Sequence, residues 1–369
     1  MYELDQKRQE TMASIKRYTT NVNYNIYSMD VLYDYNLENV INKGFTDDDT
    51  LKKAIFEDAL NSTKNMDLFW PGFGCTAFRI SADQNQQIRM GRNYDFKDNT
   101  SAMLVHCPAT KSRYGSVAFA ALSHIGINAN PETNLQCLVA PYICLDGIND
   151  RGVSIAVLTL DSEPVHQNIA GKKNLSTTLA IRYVLDNAIS AMDAVKKLEK
   201  YNMIASGRRD YHFFIMDASG DTHIAEYDCD DSDRKLVDIR LSGMRPEVEV
   251  ATNFFISHTA DALGVNPPWK YGHGQDRYVK AERILTAWYR DQNKKNVDGK
   301  AWEILKETAQ QPEEGSVTSN TQWSIVYNNT AAAKSASPKE NTLEFAFRRN
   351  FGDVWTYNLT TNLFRRKSY

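Results

Sequence analysis

The chain has few cysteines and none of the residue spacings that hold metal ions or build a disulfide framework. Its 369 residues contain five widely spaced cysteines, whereas disulfide-stapled domains are short and rich in cysteine. It has no C-x-x-C pair, no H-E-x-x-H and no two histidines four residues apart. We therefore predict neither a disulfide scaffold nor a bound metal or other cofactor. The five cysteines are Cys75, Cys107, Cys137, Cys144 and Cys229.

The sequence also lacks long apolar runs and clusters of basic residues. No stretch approaches the roughly 18 apolar residues of a membrane helix, and residues 1–8 lack the apolar segment of a secretory signal. The formal net charge is −3, with Lys and Arg scattered along the chain, so nucleic acid and membrane surfaces are not expected partners. We expect a cytoplasmic protein with a small-molecule partner. An exported form with a leader outside this sequence, and assembly into homo-oligomers, are left open.

The part of the chain before residue 75 differs in character from the rest. One helix is predicted at about residues 47–62, with Thr46 and Asp47 at its start, and a Pro/Gly loop follows at 69–74. From Cys75 onward, strand-like runs are interrupted by pairs of helices without regular βαβ alternation, which favours mixed sheets faced by helices. We interpret 1–74 as a leader or propeptide segment and 75–369 as the catalytic domain.

Hydrophobic periodicity predicts most elements of the second part. The first two strands are predicted to form a hairpin around the polar turn 82–86, and two consecutive helices after residue 175 indicate a packed helical layer. The predicted strands are 75–81, 87–93, 102–107, 116–122, 153–160, 211–217, 222–227, 236–241, 248–255, 321–328, 342–348 and 354–359, and the predicted helices are 176–188, 190–201, 277–291 and 299–310.

Cys75, which opens a predicted strand directly after the Pro/Gly loop, is the strongest chemical signal in the chain. A thiol is mostly protonated at neutral pH and needs a base to become a nucleophile. If the Gly74–Cys75 bond were cut, Cys75 would gain an α-amine with an ordinary pKa of about 7.7–8.0, next to its own sulfur. One residue would then supply nucleophile and base. The ordinary alternative is a cysteine buried in the core.

Five segments in a fixed order carry a family resemblance. They are Gly74-Cys75-Thr76, Gly91-Arg92-Asn93-Tyr94-Asp95, the run that begins Asp146-Gly147-Ile148-Asn149, Ala251-Thr252-Asn253-Phe254 and Gln275-Asp276-Arg277-Tyr278. Together they resemble the choloylglycine hydrolase family of N-terminal-nucleophile amidases, which includes penicillin V acylases and bile salt hydrolases. The resemblance implies an α+β fold, a four-layer αββα sandwich of two mixed or antiparallel sheets between helix layers. The long segment before Cys75 is more similar to the precursors of acyltransferases and acid ceramidase.

The resemblance also implies catalytic roles. Cys75 would attack an amide carbonyl while its α-amine takes the thiol proton and later returns it to the leaving amine. Arg92 would favour the thiolate, and Asp95 would accept hydrogen bonds from the α-ammonium. Arg277 would brace the site by pairing with a carboxylate such as Asp95 or with a substrate anion. Gly74 and Cys75 would flank the autocleavage point.

Two donors to the developing oxyanion follow from the same resemblance. Asn253 would provide one through its side-chain amide, and the other would be the backbone N–H of Thr159. Family members often carry Asn or Tyr where this chain has Thr159, which indicates altered substrate contacts. Phe96, next to the second motif, is a candidate substrate-binding residue.

The predicted function is that of an autoprocessed cysteine amidohydrolase that cleaves a linear C–N amide bond of a small N-acyl substrate. Three alternatives stay open: an acyltransferase with the same nucleophile, an unprocessed Cys–His thiol hydrolase that uses His124 or His258, and a non-processed homologue that binds small molecules. Bile salts, penicillin V, N-acyl amino acids and fatty amides all fit the chemistry. The sequence also leaves open whether the 1–74 fragment is discarded or retained as a small subunit.

Overall fold

The computed structural model describes residues 5–21, 23–61, 74–82, 87–127, 129–207, 209–241, 249–264, 271–312, 320–333 and 340–368. The Pro/Gly loop predicted at 69–74, apart from Gly74, and residues 83–86 of the predicted hairpin turn lie outside these ranges. The helices within them are α1 Gln6–Ala13, α2 Leu37–Lys43, α3 Asp48–Leu60, α4 Thr177–Asn187, α5 Ala191–Leu198, α6 Thr259–Gly264, α7 Gln275–Arg290, α8 Val297–Thr308 and α9 Asn329–Ala333.

Strands dominate the same described ranges. They are β1 Lys16–Arg17, β2 Ile26–Asp30, β3 Gly74–Ile80, β4 Arg89–Asp95, β5 Ala102–Cys107, β6 Ser116–Ala121, β7 Asp146–Asn149, β8 Ser154–Leu160, β9 Asn174–Ser176, β10 Asn202–Ile204, β11 Asp210–Met216, β12 Thr222–Tyr227, β13 Leu236–Arg240, β14 Val250–Ala251, β15 Asn253–Phe254, β16 Gly272–His273, β17 Thr321–Asn328, β18 Leu343–Phe347, β19 Val354–Asn358 and β20 Leu363–Arg366.

Two large sheets form the centre of the molecule. One has nine strands in the order β1-β2-β5-β6-β7-β8-β11-β12-β13, and the other has seven in the order β14-β3-β4-β17-β18-β19-β20. The sheets face each other where β3 packs on β8 and β11. Helices α4 and α5 cover the nine-stranded sheet, while α7 and α8 cover the seven-stranded sheet. The predicted four-layer αββα architecture is confirmed.

The residues before the predicted cleavage point are built into this architecture. Strand β2 pairs with β5 in parallel, with Met29 opposite Val105, and β1 pairs with β2. Helix α3 packs on a 3₁₀ segment, Leu135–Ile143, which also contacts α4. Asp47 caps α3 through a reciprocal capping box with Thr50, so the predicted start of this helix is confirmed.

The predicted hairpin at Cys75 is confirmed, because β3 and β4 pair antiparallel from Gly74 opposite Asp95 to Ile80 opposite Arg89. The single strand predicted over 248–255 is wrong. Strand β14 pairs with β3 in the seven-stranded sheet, whereas β15 pairs with β16 in a separate two-stranded ribbon. The chain therefore changes sheets at Thr252, directly before Asn253.

Candidate active site

Cys75 lies at the interface between the two sheets, one residue into β3, and is fully buried. Its backbone N–H donates to Asn253 Oδ1 at 2.7 Å, and its thiol donates to the carbonyl oxygen of Val157 on β8 at 3.6 Å. Burial raises the pKa of the thiol to about 12, against the opposing effect of Arg92. In the uncleaved chain the sulfur is therefore a neutral thiol at physiological pH.

Arg92 reaches from β4 towards the same carbonyl. Its Nη1 donates to Val157 O at 2.9 Å, and its Nε donates to Asp146 Oδ2 at 2.6 Å, in an ion pair with no exposed side-chain surface. Tyr327 donates to the other oxygen of Asp146 at 2.5 Å. Arg92 is thus fixed by a buried carboxylate with its charge close to the thiol, as its predicted role requires.

Asp95 lies directly opposite Gly74 in the hairpin register and is fully buried. Thr321 Oγ1 donates to Oδ1 at 2.6 Å, and Gln310 Nε2 donates to Oδ2 at 2.7 Å. Arg277 Nη1 lies 3.8 Å from Oδ2. Burial raises the pKa of Asp95, and the Arg277 cation opposes that shift. Asp95 thus lies across the hairpin from Gly74, the residue before the predicted cleavage point.

Arg277 and Asn253 complete the cluster. Arg277 Nη2 donates to Asn253 Oδ1 at 2.8 Å, and Nη1 contacts the carbonyl oxygen of Cys75 and the hydroxyl of Thr76 at 3.2 Å. Asn253 Nδ2 donates to the carbonyl oxygen of Thr159 at 2.7 Å. The structure therefore brings all five predicted side chains and the backbone of Thr159 into one connected network, while their roles stay predictions.

Two glycines allow the close approach of backbone and side chains at this point. A Cβ on Gly272 would lie 2.1 Å from the carbonyl oxygen of Asn253, and a Cβ on Gly274 would lie 2.4 Å from Arg277 Nη2. Both residues have positive φ, at 117° and 89°, which favours glycine. The sequence Gly272-His273-Gly274 therefore shapes the site as well as leading into helix α7.

A buried His–Glu pair supports the backbone next to Asn253. His212 Nε2 bonds the carbonyl oxygen of Thr252 at 2.8 Å, and its Nδ1 bonds Glu226 Oε1 at 2.8 Å. Both side chains are fully buried. Sequence reasoning missed this pair, although His212 and Glu226, titratable residues inside the largely apolar strands β11 and β12, were a signal that could have revealed it.

Three further candidates from the sequence are Phe96, His124 and His258. Phe96 is buried, and its ring centroid lies 6.1 Å from that of His124. The His124 ring bonds Tyr94 OH at 3.0 Å, and burial lowers its pKa to about 3. His258 faces Asp230 and Asp261. Neither ring has a bond to Cys75 among the described contacts, so the geometry does not favour the Cys–His alternative.

A small cavity adjoins Val157, whose carbonyl oxygen accepts from the Cys75 thiol. Its volume is about 20 Å³, and Ile143, Leu145 and Tyr211 are in its lining. That volume holds about one water molecule, so this cavity does not accommodate an acyl group.

Comparison with known proteins identifies the same region. Residues 75–233 match the model of the linear amide C–N hydrolases, choloylglycine hydrolase family. A penicillin V acylase of Pectobacterium atrosepticum is 36% identical over 92 residues, which cover 22% of this chain and 24% of that protein. The match thus spans about a quarter of the curated relative's length.

Solved structures share the fold over a longer stretch. The penicillin V acylase of Agrobacterium tumefaciens superimposes with a TM-score of 0.53 and 20% identity, over 77% of this chain and 91% of that one. A mutant of the conjugated bile acid hydrolase of Clostridium perfringens superimposes with a TM-score of 0.55 and 14% identity, over 80% of this chain and 97% of that one. No helix in the described ranges has the length and apolar character needed to cross a membrane. The family resemblance predicted from the sequence is confirmed over residues 75–233, which match the linear amide C–N hydrolases of the choloylglycine hydrolase family.

Proposed function

We propose that this chain is a cysteine amidohydrolase that matures by cleavage between Gly74 and Cys75 and then hydrolyses a linear amide bond of a small N-acyl substrate. The observation that carries this proposal is the network around Cys75. Its backbone nitrogen, carbonyl oxygen and thiol are each held by a different partner: Asn253, Arg277 and Val157. The family match over residues 75–233 supports the same chemistry.

The uncleaved state explains why cleavage is needed. The Cys75 nitrogen is a peptide nitrogen, which is not a base, and burial raises the pKa of the thiol to about 12. Attack of the sulfur on the Gly74 carbonyl would form a thioester and break the C–N bond, with the thiol proton passing to the nitrogen. Water would then hydrolyse the thioester. Asp95, which pairs with Gly74 across the hairpin, would hold the new α-ammonium.

Turnover would reuse the same groups. The α-amine takes the thiol proton, the sulfur attacks the substrate carbonyl, and the Asn253 amide and the Thr159 N–H stabilise the oxyanion. The C–N bond breaks as the α-ammonium protonates the leaving amine, which leaves a thioester on Cys75. Water, activated by the α-amine, releases the acid. Arg92, held by Asp146 at 2.6 Å, favours the thiolate throughout.

We also propose that the fragment before Cys75 stays bound after cleavage. Side-chain hydrogen bonds join it to the rest of the molecule. Tyr33 OH donates to Leu138 O at 2.6 Å, and Tyr35 OH donates to Asp186 Oδ1 at 2.8 Å. Asn174 Nδ2 donates to Phe45 O at 2.7 Å. These contacts do not depend on the Gly74–Cys75 bond.

The first prediction concerns maturation. Intact mass measurement of the purified full-length protein should show two fragments that meet between Gly74 and Cys75. The Cys75→Ala variant should remain one chain and release no amine from phenoxyacetyl, bile-acid or long-chain N-acyl amides, because it lacks the nucleophile. The matched control is Cys107→Ala, since Cys107 is also fully buried but lies outside the network; it should cleave and turn over as the parent does.

The same assay separates the alternatives. Release of the acid in water alone supports hydrolysis, whereas turnover only after addition of an amine acceptor identifies an acyltransferase. An intact wild-type chain that hydrolyses these amides would contradict the N-terminal-nucleophile mechanism.

A further inference from the structure

Three side chains with different metal-binding atoms meet just beyond the end of β12. Asp228 and Cys229 follow that strand, and His258 ends the 3₁₀ turn Ile256–His258. One carboxylate oxygen, the sulfur and one ring nitrogen all lie within 4.8 Å of one another. About thirty residues separate Cys229 from His258 in the sequence, so no motif spacing reveals the cluster.

We propose that Asp228, Cys229 and His258 bind a zinc-class divalent metal ion. Thiolate, imidazole and carboxylate are the ligands that zinc prefers, with bonds of about 2.0–2.3 Å. Tetrahedral ligands at those bond lengths lie roughly 3.3–3.8 Å apart. Side-chain rotations that move the ligand atoms by about 1 Å would therefore bring the three residues to bonding distance of one ion. The three residues are partly exposed, which gives an ion access from solvent.

The backbone under the cluster is fixed by Glu226. Its Oε1 accepts from the N–H of Ile256 at 2.6 Å, and its Oε2 accepts from the N–H and hydroxyl of Ser257 at 3.1 and 2.8 Å. One buried carboxylate on β12 therefore clamps the two residues directly before His258. This clamp holds the three ligand positions together before any ion binds, and preorganisation of this kind favours a metal site.

Carboxylates and an aromatic ring surround the His258 imidazole. Its Nδ1 lies 3.7 Å from Asp261, and its Nε2 lies 3.6 Å from Asp230, both longer than a hydrogen bond. The ring stacks on Tyr271 with ring centroids 4.3 Å apart. A small closure of one carboxylate onto the non-ligating nitrogen would fix the tautomer of a metal-bound histidine, and water would complete the coordination of a site with three protein ligands.

The test is a titration of the full-length, metal-free protein with Co²⁺. One equivalent should bind and give the intense visible d–d bands of a four-coordinate ion together with thiolate-to-cobalt charge-transfer absorption. Zn²⁺ should displace it. Cys229→Ser should lose the charge-transfer absorption, and His258→Gln should bind Co²⁺ at least tenfold more weakly. The matched control is Asp231→Asn/Asp233→Asn, which lowers the negative charge of the same turn outside the cluster and should bind like the parent.

Other outcomes overturn the proposal. They are an absence of charge-transfer absorption in the parent, its persistence in Cys229→Ser, or an equal loss of binding in the Asp231/Asp233 control. Circular dichroism of the metal-free variants checks their folding. If Cys229→Ser fails to fold, zinc-edge X-ray absorption of the parent protein decides: one sulfur neighbour at about 2.3 Å supports the site, and its absence excludes it.

Discussion

At the scale of single residues, the site is a balance of buried charges around one neutral thiol. Burial is the largest influence on the Cys75 thiol and raises its pKa; Arg92 and Arg277 act to lower that pKa, whereas Asp95 and Asp146 act to raise it. The site thus holds two cations and two carboxylates around the thiol. The α-ammonium that the proposed cleavage would form adds a further positive charge, which favours a thiolate. The proposed cleavage would therefore change the electrostatics of the site as well as provide a base.

The second prediction separates the accepting oxygen of the Asn253 side chain from its donating NH₂ group. Asn253→Asp keeps an oxygen that can accept from the Cys75 nitrogen and Arg277 but has no N–H to donate to an oxyanion. We expect the chain still to cleave, while kcat for amide hydrolysis falls about 10²–10³-fold. The measurements are the cleaved fraction on denaturing gels and steady-state kinetics.

The comparison variant is Asn253→Ala, which loses the accepting oxygen too. We expect it to cleave less than Asn253→Asp. A wild-type kcat in Asn253→Asp would remove Asn253 from the oxyanion site.

The third prediction is a pH effect. The His124 pKa falls from 6.5 to about 3 on folding because burial disfavours the imidazolium. Below pH 6.5 the unfolded chain therefore binds a proton that the folded chain does not, so stability present above that pH is lost as the pH falls towards 3. The contribution of this residue is about 1.4 kcal/mol per pH unit. His124→Gln, which does not titrate, should lack it.

Urea unfolding of both proteins between pH 7 and 4 measures this effect. Only the difference between the two free energies is informative, because carboxylates titrate over the same range in both. The advantage of the parent should shrink as the pH falls, and parallel curves would contradict the assignment.

Most of the predicted site residues could be proposed from the sequence because they lie in short, recognisable segments. Cys75, Arg92 and Asp95 lie on one hairpin, and Asn253 and Arg277 each lie within a short motif. Asp146 begins a motif but was given no role, although a lone acid in the apolar run 143–148 was a signal. Gln310 and Thr321, which hold Asp95, come from distant segments. Nothing in their own sequence context indicates that contact.

At the scale of elements, the agreement depends on how clearly each strand is marked in its own stretch of sequence. The predicted strands 102–107, 222–227 and 321–328 match the structure residue for residue, because alternation and turn residues define them locally. Strand β2 was not predicted; it pairs in parallel with β5, which lies over seventy residues away. Residues 248–255 were predicted as one strand, whereas the structure has β14 and β15 in different sheets. The change of sheet at Thr252 has no signal in the hydrophobicity of the sequence.

The fourth prediction tests whether Glu226, on β12, helps to position Asn253. Glu226 bonds His212, which in turn bonds the carbonyl oxygen of Thr252. Both oxygens of Glu226 accept hydrogen bonds, so a glutamine there would turn its NH₂ towards a backbone donor in either orientation. Glu226→Gln should lower the free energy of unfolding by about 1–3 kcal/mol and reduce kcat more than it changes KM. Urea unfolding and steady-state kinetics measure the two effects.

Ser257→Ala is the control at the same carboxylate. It removes one hydroxyl donor but keeps the backbone bonds, so the loss should stay below about 1.5 kcal/mol with little change in kcat. Equal effects of the two variants on kcat would mean that Glu226 does not act through Asn253.

At the scale of the whole molecule, strand pairing and side-chain hydrogen bonds join the residues before the proposed cleavage point to those after it. The fifth prediction is that the two fragments co-elute in size-exclusion chromatography under native conditions and separate only in denaturant. Tyr33 and Tyr35 of the small fragment are buried, and both donate hydrogen bonds to residues of the large fragment. The uncleaved Cys75→Ala chain should elute at the same volume as the cleaved parent. A large fragment that elutes alone would contradict retention.

The parallel pair of β2 and β5 has a further consequence for aggregation. With β1 and β2 in place, β5 is an interior strand. Without them it would become an open edge of six buried residues, Ala102–Cys107, and unpaired apolar edges recruit strands from other molecules. The short strand β1, Lys16–Arg17, is exposed and carries two positive charges, a composition that discourages such pairing. Strands β1 and β2, retained after the proposed cleavage, would therefore still keep β5 from pairing with strands of other copies.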